Sequence, residues 1–96
     1  MPERPKKLTK DEIISKLTDS WGFDEKANAI VKEFTKLSFS NAAEFIGKIA
    51  PIANEQDHHP DILLHDYKKV RIMLSTHDVG GVTSNDFKLA KAIDEI

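Results

Sequence analysis

The chain has 96 residues, 40% of them apolar and 31% charged, which suits one folded domain and excludes intrinsic disorder, collagen-like repeats and a two-domain architecture. Fourteen Lys and Arg against 16 Asp and Glu give a net charge of -2, so no positive field is available to hold a phosphate backbone and direct nucleic-acid binding is not expected. There is no cysteine, which removes disulfides, iron–sulfur clusters, thiol catalysis and cysteine-ligated zinc and leaves any chemistry to His, carboxylates, hydroxyls and Lys. No secretory signal opens the sequence and no apolar run approaches the roughly 18 residues of a membrane span, so a cytoplasmic chain with no membrane partner is expected.

Residues 1–7 carry two prolines and three basic side chains and read as a flexible lead-in to a single domain over 8–96. Thr9 with Glu12 forms a capping box, and Leu8 with Ile13 a hydrophobic staple, so a short helix starts at Thr9 with Ile13, Ile14 and Leu17 on its buried side. The segments Trp21-Gly22-Phe23 and Ala29-Ile30-Val31-Lys32-Glu33-Phe34, separated by a hydrophilic turn, predict a hairpin. Trp21 is expected in the core rather than stacked on a ligand.

Ser40-Asn41 with Glu44 opens a second helix whose Ala42, Phe45, Ile46, Ile49 and Ala53 recur at helical spacing. Pro51 lies within it, lacks a backbone donor and crowds the carbonyl of Gly47, so a kink or local break is expected there. Val70, Ile72 and Leu74 then alternate with Arg71, Met73, Ser75 and His77, the pattern of a half-buried strand, with Ile62-Leu63-Leu64 as its hairpin partner through residues 66–69. Gly80-Gly81 turns the chain. Thr83 with Asp86 forms another capping box, and Leu89, Ile93 and Ile96 line a closing helix. The order predicts an α+β fold: a four-stranded antiparallel sheet with helices packed on one face.

Two of the four histidines stand together in Gln56-Asp57-His58-His59-Pro60-Asp61, and Pro60 biases His59 to an extended conformation, so the two imidazoles diverge. A third, His77, falls in Ser75-Thr76-His77-Asp78. Imidazole titrates near neutrality and can both give and take a proton, which makes His58, His59 and His77 candidates for acid/base chemistry, whereas His65 reads as a polar surface residue. A zinc or iron site is the sharper alternative, but adjacent diverging histidines and the absence of a helical His pair do not favour it. The basic cluster Lys68, Lys69 and Arg71 reads as a solvated hairpin edge.

The segments Asp57-His58-His59-Pro60, Tyr67-Lys68-Lys69-Val70, Leu74-Ser75-Thr76-His77-Asp78 and Gly81-Val82-Thr83 with Asp86 resemble the pterin-4a-carbinolamine dehydratase family, also described as the dimerisation cofactor of a hepatocyte nuclear factor. The resemblance runs over nearly the whole chain from Leu8. It implies an enzyme that converts 4a-hydroxytetrahydropterin to quinonoid dihydropterin and water, in the recycling of tetrahydrobiopterin after aromatic amino acid hydroxylation. It implies no metal or organic cofactor and assembly as a homodimer or homotetramer. Carried over by position, His58, His59 and His77 are the catalytic histidines, and Asp57, Ser75, Thr76, Asp78 and Asp86 bind the pterin. Elimination of water needs one proton delivered to the leaving hydroxyl and one removed from the adjacent ring nitrogen, which assigns His58 and His77 as an exchangeable acid/base pair with His59 orienting the substrate. The chain departs from the family pattern at Asn54, where many relatives carry a glutamate. The rival implied by the resemblance is a non-enzymatic protein that stabilises a transcription-factor dimer; retention of all three histidines favours the enzyme.

Overall fold

The computed structural model describes residues 5–96; the first four residues of the expected flexible lead-in, 1–7, lie outside them. The elements run α1 (Lys10–Lys16), β1 (Gly22–Asp24), β2 (Ala29–Thr35), α2 (Phe39–Gln56), β3 (Asp61–His65), β4 (Lys69–Leu74) and α3 (Ser84–Asp94), with a 3-10 turn at His77–Val79. The four strands form one antiparallel sheet in the order β1-β2-β4-β3, as the α+β reading predicts.

Register explains the core. Ile30 stands opposite Leu74, Phe34 opposite Val70 and Ile62 opposite Ile72, so with the two-residue period of a strand one face of the sheet is apolar apart from Lys32, which stands opposite Ile72 and pairs with Asp94 of α3. Phe45, Ile49, Leu89 and Ile93 from α2 and α3 close over that face in the same buried cluster. Removing these side chains from water is the main stabilising term, about 1.5–3 kcal/mol for each large one.

The caps work as the spacing predicts at two helices. Thr9 and Glu12 exchange both bonds of a capping box at α1, and Thr83 and Asp86 do so at α3. The bonds from the Thr9 backbone and side chain hold the Glu12 carboxyl below its ordinary pKa. At α2 the cap is Ser38, whose Oγ accepts from Asn41 N at 3.0 Å, two residues before the predicted start: both serines offer an acceptor, and the earlier one has Asn41 at the third helical position to receive its own hydroxyl, 2.7 Å away.

Several expectations are corrected. Helix α2 is continuous through Pro51, so the local break expected there does not occur; the ring is exposed. Ile14 is half exposed, because a helix of seven residues presents a single narrow stripe, which Ile13 occupies. Strand β4 ends at Leu74, so Ser75 and His77 lie beyond it, and Ile96 lies past the end of α3 and is exposed.

Trp21 is buried, edge-on to Phe34, and its Nε1 donates to Asp94 at 2.9 Å. The same carboxylate receives Lys32 Nζ at 2.7 Å, so Asp94 ties the end of α3 to β2. Beyond β4 the chain folds back through an isolated bridge between Thr76 and Gly81. A Cβ on Gly81 would stand 2.7 Å from Lys7 Cε and 3.0 Å from Asn28 Nδ2, so a side chain there would displace the exposed Lys7 side chain and crowd the Asn28 amide.

Candidate functional site

Helix α2 ends in a Schellman motif: Asp57 is left-handed (φ 50, ψ 44), its N–H donates to Asn54 O at 3.2 Å, and His58 N–H donates to Ala53 O at 3.1 Å. This turn points the two imidazoles to different partners, as expected. His58 goes inward, its side chain 12% exposed, and its Nε2 lies 2.5 Å from Asp86 Oδ1. His59 stays exposed, with Nε2 3.0 Å from Asn54 Oδ1.

The facing wall comes from the segment after β4. The bridge between Thr76 and Gly81 brings Ser75, Thr76, His77 and Asp78 against the end of α2. Together with Asp57, His58, His59, Pro60 and Asp61 they line one open cleft of about 260 Å³. His77 is exposed at the start of the 3-10 turn, and its carbonyl accepts from the N–H of left-handed Gly80 (φ 66).

Asp86 does not line the cleft. It is fully buried beneath it at the N-terminus of α3, where one carboxylate oxygen faces His58 and the other receives the Thr76 hydroxyl and the Thr83 N–H, each at 2.9 Å. Two donors converge on Oδ2, as on an acceptor-only carboxylate, and the His58 ring nitrogen lies within hydrogen-bond distance of Oδ1. With Asp86 as acceptor, neutral His58 carries its proton on Nε2 and its lone pair on Nδ1.

Of the residues named from the sequence, seven meet at the cleft and Asp86 supports it from below. His65 sits away at the end of β3, its Nδ1 3.2 Å from Asp66 Oδ2 and its Nε2 facing Glu33 Oε2 at 3.3 Å without hydrogen-bond alignment. The sequence reading passed over Asn54 as a partner of His59, and over Thr83, read only as a helix cap. A larger cavity of about 410 Å³ lies beside Trp21 and Lys91, but it contains no imidazole and its buried-side carboxylate, Asp94, is already occupied by Trp21 and Lys32. The groups suited to acid/base chemistry lie in the smaller cleft: three imidazoles, and carboxylates at Asp57, Asp61 and Asp78 that can accept from N–H groups.

No helix in the described residues is long and apolar enough to cross a membrane. The pattern of the family described as Pterin 4 alpha carbinolamine dehydratase matches residues 6–96. A protein of Sulfurisphaera tokodaii, provisionally named pterin-4-alpha-carbinolamine dehydratase, is 45% identical over 91 residues, covering 95% of this chain and 97% of its own. A relative from Prochlorococcus marinus with the same provisional name is 46% identical over 86 residues, covering 90% of this chain and 86% of its own. A crystal structure described as a transcriptional coactivator/pterin dehydratase from Brucella melitensis superposes with a TM-score of 0.86 at 33% identity, over 94% of this chain and 97% of that one. A pterin dehydratase-like protein identified as a RuBisCO assembly factor in the alpha-carboxysome shares the fold, with a TM-score of 0.66 at 22% identity over 80% of this chain and 88% of that one. With its whole folded length matched, the chain belongs to the pterin 4 alpha carbinolamine dehydratase family.

Proposed function

We propose that the protein dehydrates 4a-hydroxytetrahydropterin to quinonoid dihydropterin and water by histidine acid/base catalysis in the cleft between the end of α2 and the segment after β4. The observation that carries this reading is the buried His58–Asp86 pair opening onto a cleft that also holds His59 and His77. The C4a–O bond breaks with its electron pair leaving on oxygen. The adjacent ring nitrogen loses its proton and forms the new C=N bond. His58, held as the Nε2–H tautomer by Asp86, takes that nitrogen's proton at Nδ1, and the imidazolium formed is stabilised by the carboxylate behind it. Protonated His77 delivers a proton to the departing hydroxyl, which leaves as water. The two imidazoles then re-equilibrate through solvent, so no proton is gained or lost over the cycle.

His59 orients the ring, and Asp57 and Asp78 accept from the amino-pyrimidine edge of the pterin. No metal or organic cofactor enters the scheme. The physiological setting in this reading is the cytoplasm, in recycling of the pterin after an aromatic amino acid hydroxylase has acted. A second reading, a non-enzymatic role in stabilising a transcription-factor dimer, draws on the coactivator description of the Brucella structure. The test is turnover of 4a-hydroxytetrahydropterin generated in situ, followed by the absorbance of the quinonoid product: acceleration over the spontaneous reaction is expected, and its absence at micromolar protein would remove the enzyme reading.

A further inference from the structure

The resemblance assigns Thr76 to the pterin site, yet its hydroxyl is turned the other way. Thr76 is only 6% exposed, and its Oγ1 lies 2.9 Å from Asp86 Oδ2 and 2.7 Å from Thr83 Oγ1. A hydroxyl has one hydrogen. Asp86 as a carboxylate has none to give, so the Thr76 hydrogen goes to Asp86, and the hydrogen between the two threonines comes from Thr83. Thr83, fully buried, accepts in turn from Asn85 N at 3.2 Å. The bonds therefore run in one direction: Asn85 N–H to Thr83, Thr83 O–H to Thr76, Thr76 O–H to Asp86.

We propose that Thr76 and Thr83 are positioning residues: their coupled hydroxyls hold Asp86 so that its free oxygen fixes His58 with Nε2 protonated and Nδ1 presented as the basic atom. Asp86 Oδ2 is occupied by Thr76 and by the Thr83 N–H, which leaves Oδ1 alone for His58 and sets the angle at which the carboxylate meets the ring. The pair acts on the reaction through Asp86 and His58, not by touching the substrate. Its catalytic consequence rests on the dehydratase reading; the tautomer does not.

The test combines 15N spectra of the imidazoles with steady-state kinetics on the full chain. Spectra are taken above the titration range of the rings, with His58 assigned by the signal lost in His58→Gln. In the unaltered protein His58 is expected with Nε2 protonated and Nδ1 bare; a protonated Nδ1 there overturns the proposal without any variant. Thr76→Val is expected to give a mixture of the two tautomers and to lower kcat by about tenfold, the usual effect of removing one hydrogen bond to a charged group, with KM changed less than about twofold. A raised KM with tautomer and kcat unchanged would put Thr76 on the substrate and overturn the assignment.

Thr83→Ser, which keeps the hydroxyl, should match the unaltered protein, and Thr83→Val should follow Thr76→Val in tautomer and kcat. Because Thr83→Val also removes a helix cap, Thr9→Ala at the distant cap of α1 serves as the comparison. If Thr83→Val loses only stability, as Thr9→Ala does, the relay is refuted. A fixed His58 tautomer in a protein that does not turn over the carbinolamine would support the relay while removing the dehydratase reading.

Discussion

His65 is the useful contrast among the histidines. It lies at the end of β3 between Glu33 and Asp66, has no place in the cleft, and makes neighbour contacts of the kind that contribute little at a partly exposed site. His65→Ala is expected to leave turnover within about twofold of the unaltered protein; a large loss would mean the wrong imidazoles have been assigned. The local motifs that mark the cleft, a His-His-Pro turn and a Thr-His turn, were readable because chemistry and chain direction are both encoded within a few residues. The His58–Asp86 contact spans 28 positions and is decided by how α2 packs on α3. Thr-x-x-Asp therefore reads as a capping box, and nothing in the spacing discloses that the same carboxylate also anchors an imidazole.

At the scale of elements, the turn that aims His58 carries a conformational cost. Asp57 is left-handed, where a side chain is disfavoured by about 1 kcal/mol and glycine is not. Asp57→Gly is expected to stabilise the fold by about that amount in urea titration while lowering turnover, because a cleft carboxylate is lost; destabilisation would show that the side chain itself supports the turn. Pro51 sits on an exposed, unbroken stretch of α2. Pro51→Ala restores the donor to Gly47 O and is expected to stabilise by about 2–3 kcal/mol, the usual difference between these residues inside a helix; an unchanged urea midpoint would mean that the ring's fixed φ offsets the missing bond.

The elements themselves were legible where a local rule and a packing requirement agree, as in the alternation of Val70, Ile72 and Leu74 and the caps at Thr9 and Thr83. They were misjudged where two residues compete for one role, Ser38 and Ser40 for a cap. They were also misjudged where context overrides a local rule, as at the break expected at Pro51 and at the alternation carried past Leu74.

The whole molecule is small, and its sheet ends on β1 and β3, strands of three and five residues. The β3 edge carries half-exposed Leu63, and Phe39 at the start of α2 is more than half exposed. A domain of this size leaves a large share of its apolar surface in water, and an edge strand has backbone donors and acceptors to offer a second copy. Self-association to a dimer or tetramer is therefore expected at micromolar concentration; sedimentation showing only a 10.8 kDa species would contradict it.

The central claim is that one cleft brings together two imidazoles that move the two protons of a single elimination. The most direct measurement is turnover of in-situ 4a-hydroxytetrahydropterin by His58→Ala, His77→Ala and the double variant, each with circular dichroism matching the unaltered protein. The expected result is a loss of roughly 10²–10⁴-fold in each single variant, the usual effect of removing a positioned acid or base. The double variant should lose less than the product of the single losses, since groups that act as a unit are not additive. Full activity in both single variants would contradict the account.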